Sequence, residues 1–251
     1  MHHNIHADFI LAPIQEILAD GINACKGIGN GIETQPLSEY ILSSLFLKAT
    51  GAQEQKLKCI CWEIATHDYD FRYKFISGKT QLGECSDYTS KNKIYSFLVQ
   101  QIGKLGKKED IIEDATRKKV ISEAISKTKA LFESTNVLDW GKRDFISYET
   151  NISSRLTDGQ ILINNQQSGS KLFESVLQKD YDEIVYGHRN RLAHNTTSYQ
   201  RHLPKLETIA DEKYSLHNYF YRYTLLILID LIFIHLYQEY RDSLGDYSAH
   251  L

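Results

Sequence analysis

The stretch YFYRYTLLILIDLIFIHLY, residues 219–237, is apolar on nearly every side of a helix. A helix without a polar face belongs in a bilayer or in a core that covers it on several sides. Arg222, Asp230 and His235 interrupt the run, and what lies between them is well short of the ~20 apolar residues a bilayer requires. The chain is therefore expected to be built around this helix, buried by its own domain or also by a second subunit, with no membrane involved.

The rest of the sequence suits that arrangement. Hydrophobic residues make up 42% of 251 positions, enough for one core without covalent staples. Only three prolines occur, and the apolar residues fall in long segments without strict alternation, so an all-α fold is expected. Residues 34–64 repeat Leu37, Ile41, Leu45, Ala49, Ala52, Leu57, Ile60, Cys61 and Ile64 at helical steps, with Pro36 placed for a first turn. That helix should continue, straight or kinked, to about Phe75. The last long helix should run over about 215–242.

Between these two helices the pattern predicts a loop at SGKTQLGECSD and helices over about 91–105 and 109–134. A polar segment follows at 139–170, in which QILIN reads as a short strand or hairpin edge. A further helix carries Leu172, Phe173, Val176, Leu177, Ile184 and Val185. The whole of 1–251 is read as a single domain, with 77–170 as an insertion within it.

A net charge of −3 and a pI near 6.4 exclude the broad basic surface of a general nucleic-acid binder. The lysines and acids that alternate over 109–134 read as a solvated face. Cys59 and Cys61 lie two apart on a helix, about 200° around it, so they cannot hold one metal ion together. Cys25, Cys59, Cys61 and Cys85 are expected as reduced thiols of a cytoplasmic protein. The opening MHHNIHADFILAPIQ lacks the charged region and long apolar run of a signal peptide, and its histidines read as part of a frayed terminus. The glycines of CKGIGNGIE suit a turn before the first long helix better than a phosphate cradle.

One decapeptide carries concentrated chemistry: YGHRNRLAHN, residues 186–195. Histidine exchanges protons near neutrality, and arginine clamps phosphate with a permanently charged fork. A His and an Arg held together can cleave RNA without a metal. The ribose 2′-hydroxyl attacks, the imidazole moves the proton, and the guanidinium stabilises charge on the phosphorane. On a continuous helix, however, Arg189 and His194 point about 140° apart, whereas Asn190 lies about 40° and Arg191 about 60° from His194. Either the helix ends within the motif or Arg189 works with a histidine of another chain. A polar helix end that sets cations against its dipole is the competing structural reading.

Arg189-Asn190-Arg191-Leu192-Ala193-His194 resembles the R-x-x-x-x-H motif of HEPN domains, in which Asn often follows the arginine. The resemblance covers 34–76 and 171–243. It implies a helical bundle with long first and last helices, and a homodimer whose two motifs face each other to form one metal-independent ribonuclease site. It further implies a toxin or antiviral-defence effector that leaves 2′,3′-cyclic phosphate ends and has an antitoxin or defence-system partner. Carried over by position, Arg189 binds the phosphate, His194 is the catalytic histidine, and Asn190 orients the imidazole or the scissile phosphate. Arg191 and His188 are extra cations for the RNA backbone, and Glu54 is a polar partner for an arginine, unless it is merely exposed or structurally paired. HEPN toxins silenced by tyrosine modification carry that tyrosine two positions after the histidine. Here that position is Thr196, and the nearest downstream tyrosine is Tyr199.

Two other classes compete with the nuclease. One is a catalytically silent HEPN-like bundle serving dimerisation or RNA binding. The other is a metal enzyme, which no H-E-x-x-H, no Cys/His ligand spacing and no glycine-rich phosphate loop supports; no cofactor or metal is expected.

Overall fold

The computed structural model describes residues 4–29, 31–79, 81–106, 111–163, 169–194 and 215–249, and these are mostly helical. α1 (Ile5–Leu11) and α2 (Ile14–Ala24) open the chain, followed by α3 (Gln35–His67) and α4 (Tyr69–Ile76). α5 (Tyr88–Lys104), α6 (Asp114–Phe132), α7 (Asn136–Trp140) and α8 (Lys142–Arg155) come next. A two-stranded hairpin, β1 (Ile161–Ile163) and β2 (Lys171–Phe173), pairs Ile161 with Phe173 and Ile163 with Lys171 in antiparallel register. α9 (Ser175–Asp180), one π-helical turn (Tyr181–Tyr186) and α10 (Gly187–His194) lead to the last helix, α11 (Tyr219–Ala249).

α11 is the axis of the fold. Every residue from 219 to 230 is buried, because α3, α5, α6 and α8 surround the helix. It passes a test of length and composition for crossing a membrane, yet 89% of its apolar window is covered by the protein itself. Two of the polar residues that interrupt it, Arg222 and Asp230, have partners inside the protein. Asp230 accepts from Lys56 Nζ at 2.7 Å and from the Ile14 backbone N–H at 2.8 Å. Lys56 also donates to the Ala12 carbonyl. One carboxylate thus ties the start of α2 and the middle of α3 to α11, and it satisfies one of the orphan donors of α2.

α3 and α4 fulfil the expectation of one very long helix or a kinked pair. Its break falls at Asp68, whose extended backbone ends α3 while its side chain accepts the Phe71 N–H at 2.9 Å and caps α4. Gly21 lets α2 lie close on α3, since a Cβ there would meet Leu45 Cδ2 at 2.2 Å.

Three expectations are corrected. The N-terminal region is not frayed over its described part: Asn4 caps α1, and Ala7, Ile10, Ile14, Leu18 and Ile22 enter the core at near-helical steps around Pro13. The described part of the polar segment 139–170 is largely helical, as the end of α7 and the whole of α8. Only Tyr148 and Ile152 of α8 are buried, too few to show a period. Leu172 and Phe173 lie in β2 rather than in the helix that follows. Asn92 Oδ1 accepts the Leu172 N–H at 2.7 Å, and the Tyr88 hydroxyl accepts the Phe173 N–H at 3.1 Å, so side chains of α5 serve this edge in place of a third strand. The hairpin expected at QILIN is present.

The segment 77–170 is not a separate layer. Ile94, Tyr95, Leu98, Val99 and Ile102 of α5 have no exposed surface and join the same core as α3 and α11. All four cysteines are free thiols, three of them buried.

Candidate functional site

α9, the π turn and α10 form one continuous helical rod: Asp180, Tyr181 and Gly187 all have right-handed helical backbone. The π turn widens the rod just before the motif, a device frequent at functional sites. Here it presents the Ile184 carbonyl to Arg222 Nε at 3.1 Å. The motif helix is thereby attached to the central helix.

α10 remains helical through His194, so the helix does not end within the motif. Five positions on a helix leave Arg189 and His194 about 140° apart, and the two side chains have different surroundings. Arg189 turns inward, its Nη2 lying 3.3 Å from Glu54 Oε1 and 3.4 Å from Oε2. Its Nη1 donates to Asn190 Oδ1 at 3.3 Å. These contacts are long for charge-assisted bonds, so the guanidinium is oriented without being firmly closed in. His194 is exposed. Thr196 and Tyr199 lie outside the described residues.

Glu54 is thus the arginine partner that was one of its two expected roles. It is buried on α3 and faces a second cation, Lys91 of α5. Lys91 is 1% exposed, donates to the Cys85 carbonyl at 3.1 Å and lies 5.7 Å from the Tyr181 ring centre. Burial pushes its ammonium down to about 8, against the pull of Glu54. The inward face of the motif therefore rests on a buried Glu54 set between two cations.

His188 is corrected from its expected role as a backbone-binding cation. It packs edge-on against Phe46 and Tyr219, with ring centres 5.2 and 5.3 Å away, and its Nε2 lies 3.1 Å from the Tyr219 hydroxyl. Burial, then the charges of Arg222 and Arg191, push its pKa down to about 3. His188 is neutral at pH 7. The Tyr219 hydroxyl has only one proton to give, and Glu39 Oε1, 3.1 Å away, can only accept it. Ser43 Oγ, at 2.7 Å, and His188 then both donate to the tyrosine oxygen. This order places the imidazole proton of His188 on Nε2. Burial and the Glu39 charge push the Tyr219 phenol up to about 12, so it stays protonated.

Arg191 is half-buried, and burial lowers its pKa. Arg222 is 6% exposed, and burial pushes it down to about 10. Its Nη2 donates to the His217 carbonyl at 3.1 Å, and its guanidinium stacks 5.1 Å over Tyr219. Burial and Arg222 likewise lower His217. The outer half of the motif thus stands over a basic cluster in which Arg222 forms no ion pair with any described carboxylate. Among the described residues no three His, Cys, Asp or Glu side chains are grouped to suit a metal ion.

Sequence reasoning missed Glu39, Ser43, Tyr219 and Arg222. Arg222 stood out as an interruption in an apolar run, but nothing in its spacing linked it to residues more than thirty positions away. No known protein family, characterised protein or solved structure matches this chain.

Proposed function

We propose that this protein is a metal-independent RNA endonuclease of HEPN type, acting in the cytoplasm as a toxin or antiviral-defence effector. In this reading Arg189 of one chain and His194 of a second chain meet across a homodimer interface, and the ribose 2′-hydroxyl displaces the 5′-oxygen to leave a 2′,3′-cyclic phosphate. The supporting observation is the division of labour on α10: an arginine held inward by Glu54 and an exposed histidine on another face, with the helix unbroken between them. One chain alone does not bring the two together, which is why the reading requires a second copy. Neutral, half-buried His188 leaves His194 as the motif's proton carrier. Asn190 serves the arginine first, since it accepts from Arg189. Arg191 supplies the additional phosphate contact.

The Arg189–Glu54 pair also favours a second reading, a silent HEPN-like bundle used for dimerisation or RNA binding. Incubation of purified protein with mixed RNAs in excess EDTA separates the two. Cleavage that His194→Ala and Arg189→Ala each abolish, with cyclic phosphate at the new ends, supports the nuclease. Cleavage that persists in both variants refutes the assignment of the site. A mixture of the two variants should recover activity that neither has alone, and absence of recovery beside an active wild type refutes the two-chain geometry.

A further inference from the structure

A cavity of about 350 Å³ opens between the first turns of α3, the α7–α8 junction and the start of α11. Its chemistry is unlike that of the basic cluster beside it. Two carboxylates line it, Glu39 and Asp144, together with three aromatic rings, Trp140, Tyr219 and Phe220, and no cationic side chain does. Gly141 keeps the wall thin, because a Cβ there would stand 3.1 Å from the Phe220 ring. Glu39 is exposed, and its one hydrogen bond among the described residues, from Tyr219, uses one of roughly four acceptor positions of a carboxylate. Trp140 Nε1 is buried without an acceptor among the described residues.

These features specify a ligand. Aromatic walls favour a flat ring, and a carboxylate with free acceptor positions selects adjacent N–H donors. Two carboxylates and no cation repel phosphate. Guanine combines N1–H and N2–H₂ donors with the O6 acceptor on one edge. Adenine and cytosine would each set a ring-nitrogen lone pair against the carboxylate, and uracil offers it a single N–H. Tyr219 belongs to both sites, lining this cavity while its hydroxyl bonds His188 of the motif. A base held here would lie one side chain away from the motif helix.

We infer that this cavity is a guanine-binding pocket, with Glu39 as the residue that selects the base. The inference deepens the ribonuclease reading by naming a base, but its test does not depend on cleavage. Trp140 and Trp62 are the only tryptophans, and Trp62 is exposed near the far end of α3, so Trp62→Phe isolates the emission of Trp140. In that background guanosine should quench or shift the fluorescence saturably, while adenosine, cytidine and uridine should not. Glu39→Gln, shown to be folded by circular dichroism and thermal melting, should weaken guanosine about ten- to a hundred-fold, the range for loss of a charge-assisted bond. Absence of saturation, an equal response to all four nucleosides, or unchanged affinity in folded Glu39→Gln overturns the inference. In a His194→Ala background, a short RNA with one guanosine that binds tighter than free guanosine identifies a substrate subsite. Tighter binding of the free nucleoside identifies a soluble regulator instead, and either order supports the guanine pocket. RNA cleavage without guanosine binding sinks this inference alone, and guanosine binding without cleavage sinks the nuclease alone.

Discussion

Acid should destabilise this protein through His188 well above the pH at which carboxylates titrate. The folded state holds the imidazole at a pKa of about 3, against 6.5 for a free histidine, because it is half-buried and desolvated beside Arg222 and Arg191. Between those values the unfolded chain takes up a proton that the folded chain refuses, so stability is full above about pH 6.5 and falls as pH drops toward 3. The slope is about 1.4 kcal/mol per pH unit, and the loss from this one group reaches about 2 kcal/mol at pH 5. Urea unfolding of the wild type and of His188→Gln, each at pH 7 and pH 5, isolates the term. Glutamine keeps a donor for the Tyr219 hydroxyl and does not titrate. The raised carboxyls of Asp144 and Asp182 act with the opposite sign, and lowered His217 with the same sign, in both proteins. Those contributions cancel in the difference, which should be about 2 kcal/mol. Equal pH dependence in the two proteins, or an NMR titration that places His188 near 6.5, would refute the argument that this histidine is neutral.

Other perturbations test the packing and the site. Glu54→Gln should lower thermal stability by about 1–2 kcal/mol, as a charged hydrogen bond is lost on a partly exposed arginine, and should slow any RNA cleavage; a melting point and rate equal to wild type would show that Arg189 does not need its partner. Asp230→Leu alone leaves the Lys56 ammonium buried and should cost about 3–5 kcal/mol in urea unfolding, whereas Lys56→Met combined with Asp230→Leu should recover most of that loss. Gly21→Ala should cost about 1–3 kcal/mol, because the added methyl meets Leu45 and the α2–α3 contact must open; unchanged stability would mean that Leu45 moves aside freely.

What could be read from the sequence was whatever a helix states locally. α3 showed itself through a run of apolar steps and Pro36, and α11 through its unbroken apolarity; both lie close to where those signals put them. α8 stayed hidden because it buries two side chains in fourteen residues, and β2 because its edge bonds go to α5 side chains some eighty residues away. The motif was legible as a string, and its 140° geometry followed from helical pitch alone. That His188 is neutral was not legible. Its state depends on Phe46, Tyr219 and Arg222, which no spacing rule connects with residue 188.

Tyr219 carries the consequence furthest. It is the first residue of the central helix, and its hydroxyl is the point where Glu39, Ser43 and His188 meet. Removing only that hydroxyl, as in Tyr219→Phe, preserves the rings packed around Phe46 and Tyr223 but takes from His188 the acceptor of its N–H and frees the Glu39 carboxylate. The unpaired His188 N–H should cost about 1–3 kcal/mol on urea unfolding. If the cavity takes guanine through Glu39, the same substitution should leave guanosine affinity unchanged or raise it, since the base no longer shares the carboxylate. A loss of stability combined with a loss of guanosine binding would show that Tyr219 shapes the cavity itself, and that Glu39 does not select the base on its own.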